Sequence, residues 1–440
     1  MPAFARVVVG YTVQVTREPR APWQRMFRVN QSELVVVALA CAYFFCVLAC
    51  NYILRPVRDE MGIQRGSEGL TWLMTGTLVV TVLINPVFSL LVGRYPRRWF
   101  IPVTYQFFAA NLALFYLALH LYPHRTEWLQ DAFFIWMSVF NLFIVSVFWS
   151  FMSDLFTSEQ SRRLYPLIGV GGTLGAIFGS QLTSALVEIV GPEAMLLVAA
   201  GMLELAIVCM LLLDRQAPHG TVKQERLERA MPWDGVVLIF RRPYLALMVL
   251  YMVLQTSLAT LLYFQQAGIL EDWSSDPKER TQLLADLNTW VNLVTLGLQL
   301  FVSSHVLSKL GVTRTLLIAP AVLLVAFAGL SIESTVVVLA IAQVSTRAAE
   351  YAAARPARET LYTVVSRTER YQSKSFIDTF VYRGGDALAG WGNQGLVLLG
   401  LSLPVMAAAS IPLAACWIGA AYVLGRRQEA LATADPTGVR

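Results

Sequence analysis

Stretches of roughly 20 predominantly apolar residues recur along this chain, and each matches the length of helix that crosses a bilayer hydrocarbon core about 30 Å thick. Such spans are expected near 32–58, 70–92, 100–121, 131–152, 166–189, 193–213, 243–268, 283–306, 315–332, 335–354, 376–400 and 403–425. Only 14% of the residues are charged and 56% are hydrophobic, whereas a soluble domain carries about 25% charged residues. That leaves too little polar surface to face water. Lipid removes the requirement, because a surface facing acyl chains is apolar and every backbone polar group is satisfied within a helix. The chain reads as an all-α integral membrane protein.

The segment 214–242 breaks the pattern. It is polar and charged, and it divides twelve transmembrane helices into two sets of six. The expected layout is an N-terminal tail at 1–31, a six-helix bundle at 32–213, a central loop at 214–242, a second bundle at 243–425 and a C-terminal tail at 426–440. Lys and Arg test this layout, since they concentrate in cytoplasmic loops. With both termini cytoplasmic, most of them fall inside, including Arg94, Arg97, Arg98, Arg162, Arg163, Lys309 and Arg314. Few fall outside, Lys278 and Arg280 among them. Twelve spans, a six-plus-six split and an inner central loop describe the major facilitator architecture. The basic run Gly93-Arg94-Tyr95-Pro96-Arg97-Arg98 resembles the loop that superfamily keeps between its second and third helices. Residues 1–30 lack the apolar core of a cleavable signal peptide, and an inner (plasma) membrane location is expected.

The net charge of +5 does not imply nucleic-acid binding, because the basic residues lie in short loops between apolar spans. Cys41, Cys46, Cys50, Cys209 and Cys416 all sit inside apolar runs without metal-ligand spacing, so core packing is expected of them. No HExxH, GxSxG or GxxxxGK[ST] pattern occurs, and His120, His124, His219 and His305 are scattered. No enzymatic constellation, metal or cofactor is therefore expected. The expected partners are a small-molecule solute and the lipid bilayer, with the protein a monomer. Gly171, Gly175 and Gly179 recur every four residues, a small-residue face for close helix packing.

Ionisable side chains within the spans are costly, which makes them candidates for function. Asn51, Arg55 and Arg58 share one face of the first helix, and two guanidiniums on one face suit a phosphate or carboxylate. The competing reading has Arg55 and Arg58 reaching the outer interface and pairing with Asp59 and Glu60. Pro56 is expected to bend this helix. In the tenth span, Arg347, Tyr351, Arg355 and Arg358 share a face, Arg347 and Glu350 are spaced to pair at i,i+3, and Arg355-Pro356 is expected to end the helix. In the eleventh, Asp378, Tyr382, Asp386 and Asn393 share a face while Arg383 points elsewhere. Asp286 and Trp290 begin a polar face on the eighth span, as do Thr256, Thr260 and Tyr263 on the seventh. Glu204 lies deep in the sixth span without an evident partner.

Several segments together resemble the ATP/ADP translocases of plastids and intracellular bacteria and their bacterial relatives. They are Asn51-Tyr52-Ile53-Leu54-Arg55-Pro56-Val57-Arg58-Asp59, then Phe148-Trp149-Ser150-Phe151 with Arg163-Leu164-Tyr165-Pro166-Leu167-Ile168-Gly169, then Asp286 to Trp290 running to Lys309-Leu310-Gly311, and Arg355-Pro356-Ala357-Arg358-Glu359 with Lys374 to Asp378 and Arg383. The resemblance implies a nucleotide transporter of major facilitator type. It also has departures. The family typically has lysine at the position of Arg58, glutamate and lysine at the positions of Thr260 and Phe264, and lysine at that of Asp386. The resemblance therefore implies a divergent branch whose substrate differs from, or is bound more weakly than, a highly anionic nucleotide.

The expected function is alternating access for a small anionic solute, a nucleotide or a phosphorylated or carboxylated metabolite, with ATP/ADP exchange as one form of it. Arg55, Arg58, Asp59, Asp286, Arg347, Glu350, Asp378, Arg383 and Asp386 are the expected substrate-binding residues. Arg94, Arg162, Arg163 and Arg358 are expected to bridge the halves in one state. An amphiphile- or lipid-handling protein, or a proton-coupled transporter of the same architecture with an unrelated substrate, is the alternative. Glu204, Asp286 and Asp386 are the carboxylates available to carry a proton.

Overall fold

A computed structural model describes residues 33–94, 97–122, 126–216, 239, 242–301 and 303–434. The expected N-terminal tail and nearly all of the central loop lie outside the described residues, as does the end of the C-terminal tail. The first half comprises α1 (Leu34–Gln64), α2 (Gly66–Arg94), α3 (Arg97–Leu121), α4 (Thr126–Leu155), α5 (Ser158–Val190) and α6 (Met195–Gln216). The second comprises α7 (Pro243–Trp273), α8 (Pro277–Phe301), α9 (Ser303–Ile332), α10 (Val336–Ala349), α11 (Arg355–Leu361), α12 (Arg367–Phe376), α13 (Tyr382–Leu398) and α14 (Leu403–Ala434). Wide π turns at Glu350–Ala354 and Ile377–Val381 join α10 to α11 and α12 to α13, so each pair forms one rod.

Local chemistry sets several boundaries. Thr157 and Gln160 cap each other at the start of α5, the Gln160 N–H donating to Thr157 Oγ1 at 3.3 Å and the Thr157 N–H to Gln160 Oε1 at 3.1 Å. Ser366 and Glu369 do the same at the start of α12. Gly66 turns α1 into α2 with φ of 64°, and Gly311 kinks α9 with φ of 75°, backbone that a side chain would strain.

Two corrections to the expected boundaries concern prolines. The first helix does not stop near residue 58. It continues through Pro56 to Gln64, which brings Asp59 and Glu60 inside the protein. The tenth rod does not end at Arg355-Pro356 either. The π turn ahead of it lets the Arg355 N–H reach the Glu350 carbonyl, and Pro356 then occupies the first turn of α11, where a missing N–H costs little.

Among the described residues, ten helices are long and apolar enough to cross a membrane. The rods built on α8 and on α12–α13 are not among them, and both are polar for a packing reason. α8 packs against α5, α1 and α10, and α13 packs against α7 and α2, so each sits where the two halves of the chain meet. One apolar core is formed by α1 and α3 to α6. A second is formed by the C-terminal helices together with Ile63, Leu70, Leu73, Met74 and Phe134 of the first half. The outer surface carries Leu83, Val103, Phe107, Leu114, Leu205, Val208, Val325 and Ile341 exposed, as lipid solvation requires.

α5 lies closely along α1. A Cβ on Gly171 would meet the Cys41 carbonyl oxygen at 2.9 Å, and one on Gly175 or Gly179 would strike the backbone of Phe45 or Ala49. The four-residue glycine spacing is thus the contact face expected of it. Cys46 and Cys50 are buried as expected, whereas Cys416 is exposed on α14.

Candidate functional site

The helix faces converge on a cavity of about 310 Å³ between the halves. α1 contributes Asn51, Arg55 and Arg58, the set that helical spacing placed on one face. The missing N–H of Pro56 leaves the Tyr52 carbonyl of this helix without its usual helical donor. α10 and its π turn contribute Gln343, Thr346, Arg347, Glu350 and Tyr351. The π turn before α13 delivers Tyr382, Arg383 and Asp386, and α7 contributes Gln255, Thr260 and Tyr263.

The four guanidiniums are held differently. Arg58 Nε donates to Asp59 Oδ1 at 3.0 Å, and its guanidinium lies 4.8 Å from the centre of the Phe134 ring. Arg55 approaches the same Asp59 at 4.0 Å and lies over the Tyr52 ring. Tyr263, from the opposite half, donates its hydroxyl to Asp59 at 3.0 Å. Asp59 itself is buried and does not line the cavity. It is the carboxylate on which Arg55, Arg58 and Tyr263 are assembled.

Arg383 pairs with Asp386 at 3.3 Å, and Thr260 donates to the other oxygen of Asp386 at 2.7 Å. Arg383 was expected to point elsewhere. It reaches the cavity beside Tyr382 and Asp386 because its long stem lets the guanidinium swing across to Asp386 on the same helix. Arg347 and Glu350 do not pair, contrary to their i,i+3 spacing. Arg347 Nη1 donates to Asn288 Oδ1 of α8 at 3.0 Å, and Glu350 accepts from Gln255 of α7 at 3.1 Å. A neighbouring helix outcompetes the next turn in each case.

These observations combine a mostly apolar, all-helical chain, two halves and a polar cavity at their seam. The family model of the Major Facilitator Superfamily matches residues 35–351. The chain belongs to the Major Facilitator Superfamily.

This superfamily member is an integral membrane secondary transporter of a small-molecule solute, not an enzyme. It is 20% identical to ADP,ATP carrier protein 1 of Chlamydia muridarum, over 91% of this chain and 90% of that one. It is 21% identical to the chloroplastic ADP,ATP carrier protein 1 of Arabidopsis thaliana, over 91% of this chain and 75% of that one. Its fold is similar to a crystal structure of a mutant of the nucleoside transporter NupG, with a TM-score of 0.65 at 14% identity, covering 90% of this chain and 99% of that one.

In this superfamily member most polar contacts between halves among the described residues lie toward the end where α1 turns into α2. Arg280 of α8 pairs with Glu60 of α1 at 2.7 Å. Asn393 of α13 donates to Ser67 at 2.9 Å, Trp391 to Thr75 at 3.1 Å, and Thr71 to the Gly390 carbonyl at 3.1 Å. Gln181 of α5 donates to Thr289 of α8 at 3.0 Å. Toward the opposite end, Asn85 donates to Thr379 at 3.0 Å. There, Arg163 donates to Glu33 at 2.8 Å within its own half, and Arg358 approaches the Met252 sulfur at 3.5 Å within the other. Both of these contacts lie within a single half. The side chains of Arg94 and Arg162 lie outside the described residues.

Several expected residues stand apart from the cavity. Asp286 is half-buried on α8 but does not line it, Trp290 is 60% exposed, and Asp378 is exposed at the start of its π turn. Glu204 is exposed on the outer side of α6, away from the cavity. Of the three carboxylates considered for proton transfer, Asp386 alone lines it. Sequence reasoning passed over Gln255, Gln343, Asn288, Ser138 and Asn141. Their signal was an uncharged polar side chain in an apolar span, and Ser138 and Asn141 also share a face at i,i+3.

Proposed function

We propose that the protein moves a phosphorylated anion of the nucleotide class across the inner membrane by alternating access. The observation that carries this reading is the convergence of Arg55 and Arg58 from one half with Arg347 and Arg383 from the other on a single cavity. Guanidiniums bind phosphate through directed, charge-assisted hydrogen bonds, and a solute gripped by both halves couples its binding to their relative position. The printed names of the relatives, ADP,ATP carriers, support the same substrate class.

The working layout is twelve spans in two six-helix bundles with both termini cytoplasmic, the rods built on α8 and α12–α13 crossing the membrane at the seam. In that orientation the α1–α2 end is outer. The cluster around Glu60 and Arg280 closes it, and the solute exchanges through the inner end. Arg94, Arg162, Arg163 and Arg358 close the inner end in the alternate state.

The test is uptake of labelled nucleotides, phosphorylated metabolites and carboxylates into proteoliposomes. Saturable uptake of a phosphorylated anion, abolished in Arg347→Ala, is the expected result. Uptake of carboxylates alone or of an uncharged amphiphile rejects the substrate class, and uptake unchanged in Arg347→Ala rejects the site.

A further inference from the structure

Each arginine of the cavity is neutralised to a different degree, and the differences limit how much negative charge the site accommodates. Arg58 and Arg383 each have a carboxylate of their own, Asp59 at 3.0 Å and Asp386 at 3.3 Å. Arg55 has only a distant share of Asp59, at 4.0 Å. Arg347 has no carboxylate within ion-pair distance among the described residues, and its one hydrogen bond there goes to the neutral Asn288. The open positive charge is therefore that of Arg347 with part of Arg55, one from each half.

Against it stands Glu350. Among the described residues no cation lies within ion-pair distance of it, and its one hydrogen bond comes from the neutral Gln255 at 3.1 Å. Glu350 lines the same cavity as Arg347, as does Asp386. A solute in this space meets both an open guanidinium pair and an uncompensated carboxylate. Away from bulk water, like charges repel strongly and a carboxylate without a cation seeks a donor.

We infer that the site is set for an anion of low charge that also carries a hydrogen-bond donor, a nucleoside monophosphate rather than a di- or triphosphate. The single phosphate bridges Arg55 and Arg347, and an amino or hydroxyl group of the remainder donates to Glu350. Every further phosphate brings negative charge toward Glu350 and Asp386 with no unpaired guanidinium left to receive it. The inference rests on the phosphorylated-anion reading and narrows it.

Titration calorimetry on the purified full-length protein, without divalent cations, tests it with two series of ligands. One is AMP, ADP and ATP; the other is orthophosphate, pyrophosphate and tripolyphosphate. The expected wild-type result is weaker binding at each added phosphate, by at least about threefold per step. Glu350→Gln and Asp386→Asn, both near-isosteric, each remove a carboxylate charge and flatten or reverse the steps. Equal or tighter binding of ADP or ATP than of AMP overturns the inference, and so do steps that neither variant changes. If the base-free series binds as well as the nucleotides, the nucleotide reading fails while its steps still decide the charge preference. Binding in neither series overturns the inference, which requires an anion.

Discussion

Glu60 and Arg280, 220 positions apart in the chain, form an ion pair at 2.7 Å whose side chains are 1% and 7% exposed. The pair joins α1 to α8, and Gln64 also donates to Glu60 at 3.0 Å. Removing one partner of a buried pair leaves an uncompensated charge, at a cost of about 3–5 kcal/mol. That cost falls on the conformation sealed at this end.

Glu60→Gln is accordingly expected to shift the population toward the conformation open at the α1–α2 end, and the exchange Glu60→Arg with Arg280→Glu to restore the seal. Spin-label distances between Glu188 and Lys278, each replaced by labelled cysteine, read this directly. An unchanged distance distribution in Glu60→Gln contradicts a gating role.

Arg58 and Arg347 are expected to separate stability from binding. Arg58→Ala strands the buried Asp59, so it lowers the unfolding temperature, and adding Asp59→Asn recovers much of the loss. Arg347 has no carboxylate to strand. Arg347→Ala is expected to leave the unfolding temperature nearly unchanged while weakening anion binding by about tenfold or more, the value of a charge-assisted hydrogen bond. Thermal unfolding and ligand titration on the same preparations check both.

Gly175 and Gly385 predict a contrast in packing. A methyl on Gly175 would strike the Phe45 backbone, which has nowhere to go. Gly175→Ala is expected to destabilise by roughly 1–3 kcal/mol, and no side-chain substitution on α1 rescues it. A methyl on Gly385 would strike the Thr256 hydroxyl, so Thr256→Ala is expected to rescue Gly385→Ala. Chemical unfolding of the single and double variants in detergent measures this.

The membrane orientation has its own test. In a background with all five cysteines replaced, Ser275→Cys in the α7–α8 turn is expected to react with an impermeant maleimide on intact cells. Val365→Cys, between α11 and α12, is expected to react only after permeabilisation. The opposite pattern inverts the topology.

Some of this protein was fixed by local geometry and was legible in its sequence. The apolar runs gave the helices. Asn51, Arg55 and Arg58 reached the cavity together because a helix puts residues three and four apart on one face wherever the helix goes. The Gly171, Gly175 and Gly179 stripe met α1 for the same reason. Partner choice was decided only when the helices crossed. Arg347 chose Asn288 over Glu350, and Glu60 chose Arg280, a residue that had read as part of an outer loop. The π turn at Ile377–Val381 broke the regular phase of a face, leaving Asp378 outside while Tyr382 and Asp386 line the cavity. Periodicity assumes an unbroken helix and compares only neighbours in sequence. A side chain in a membrane bundle pairs with whichever polar group the tertiary packing brings within reach, and for Arg347, Glu350 and Glu60 that group sits on another helix.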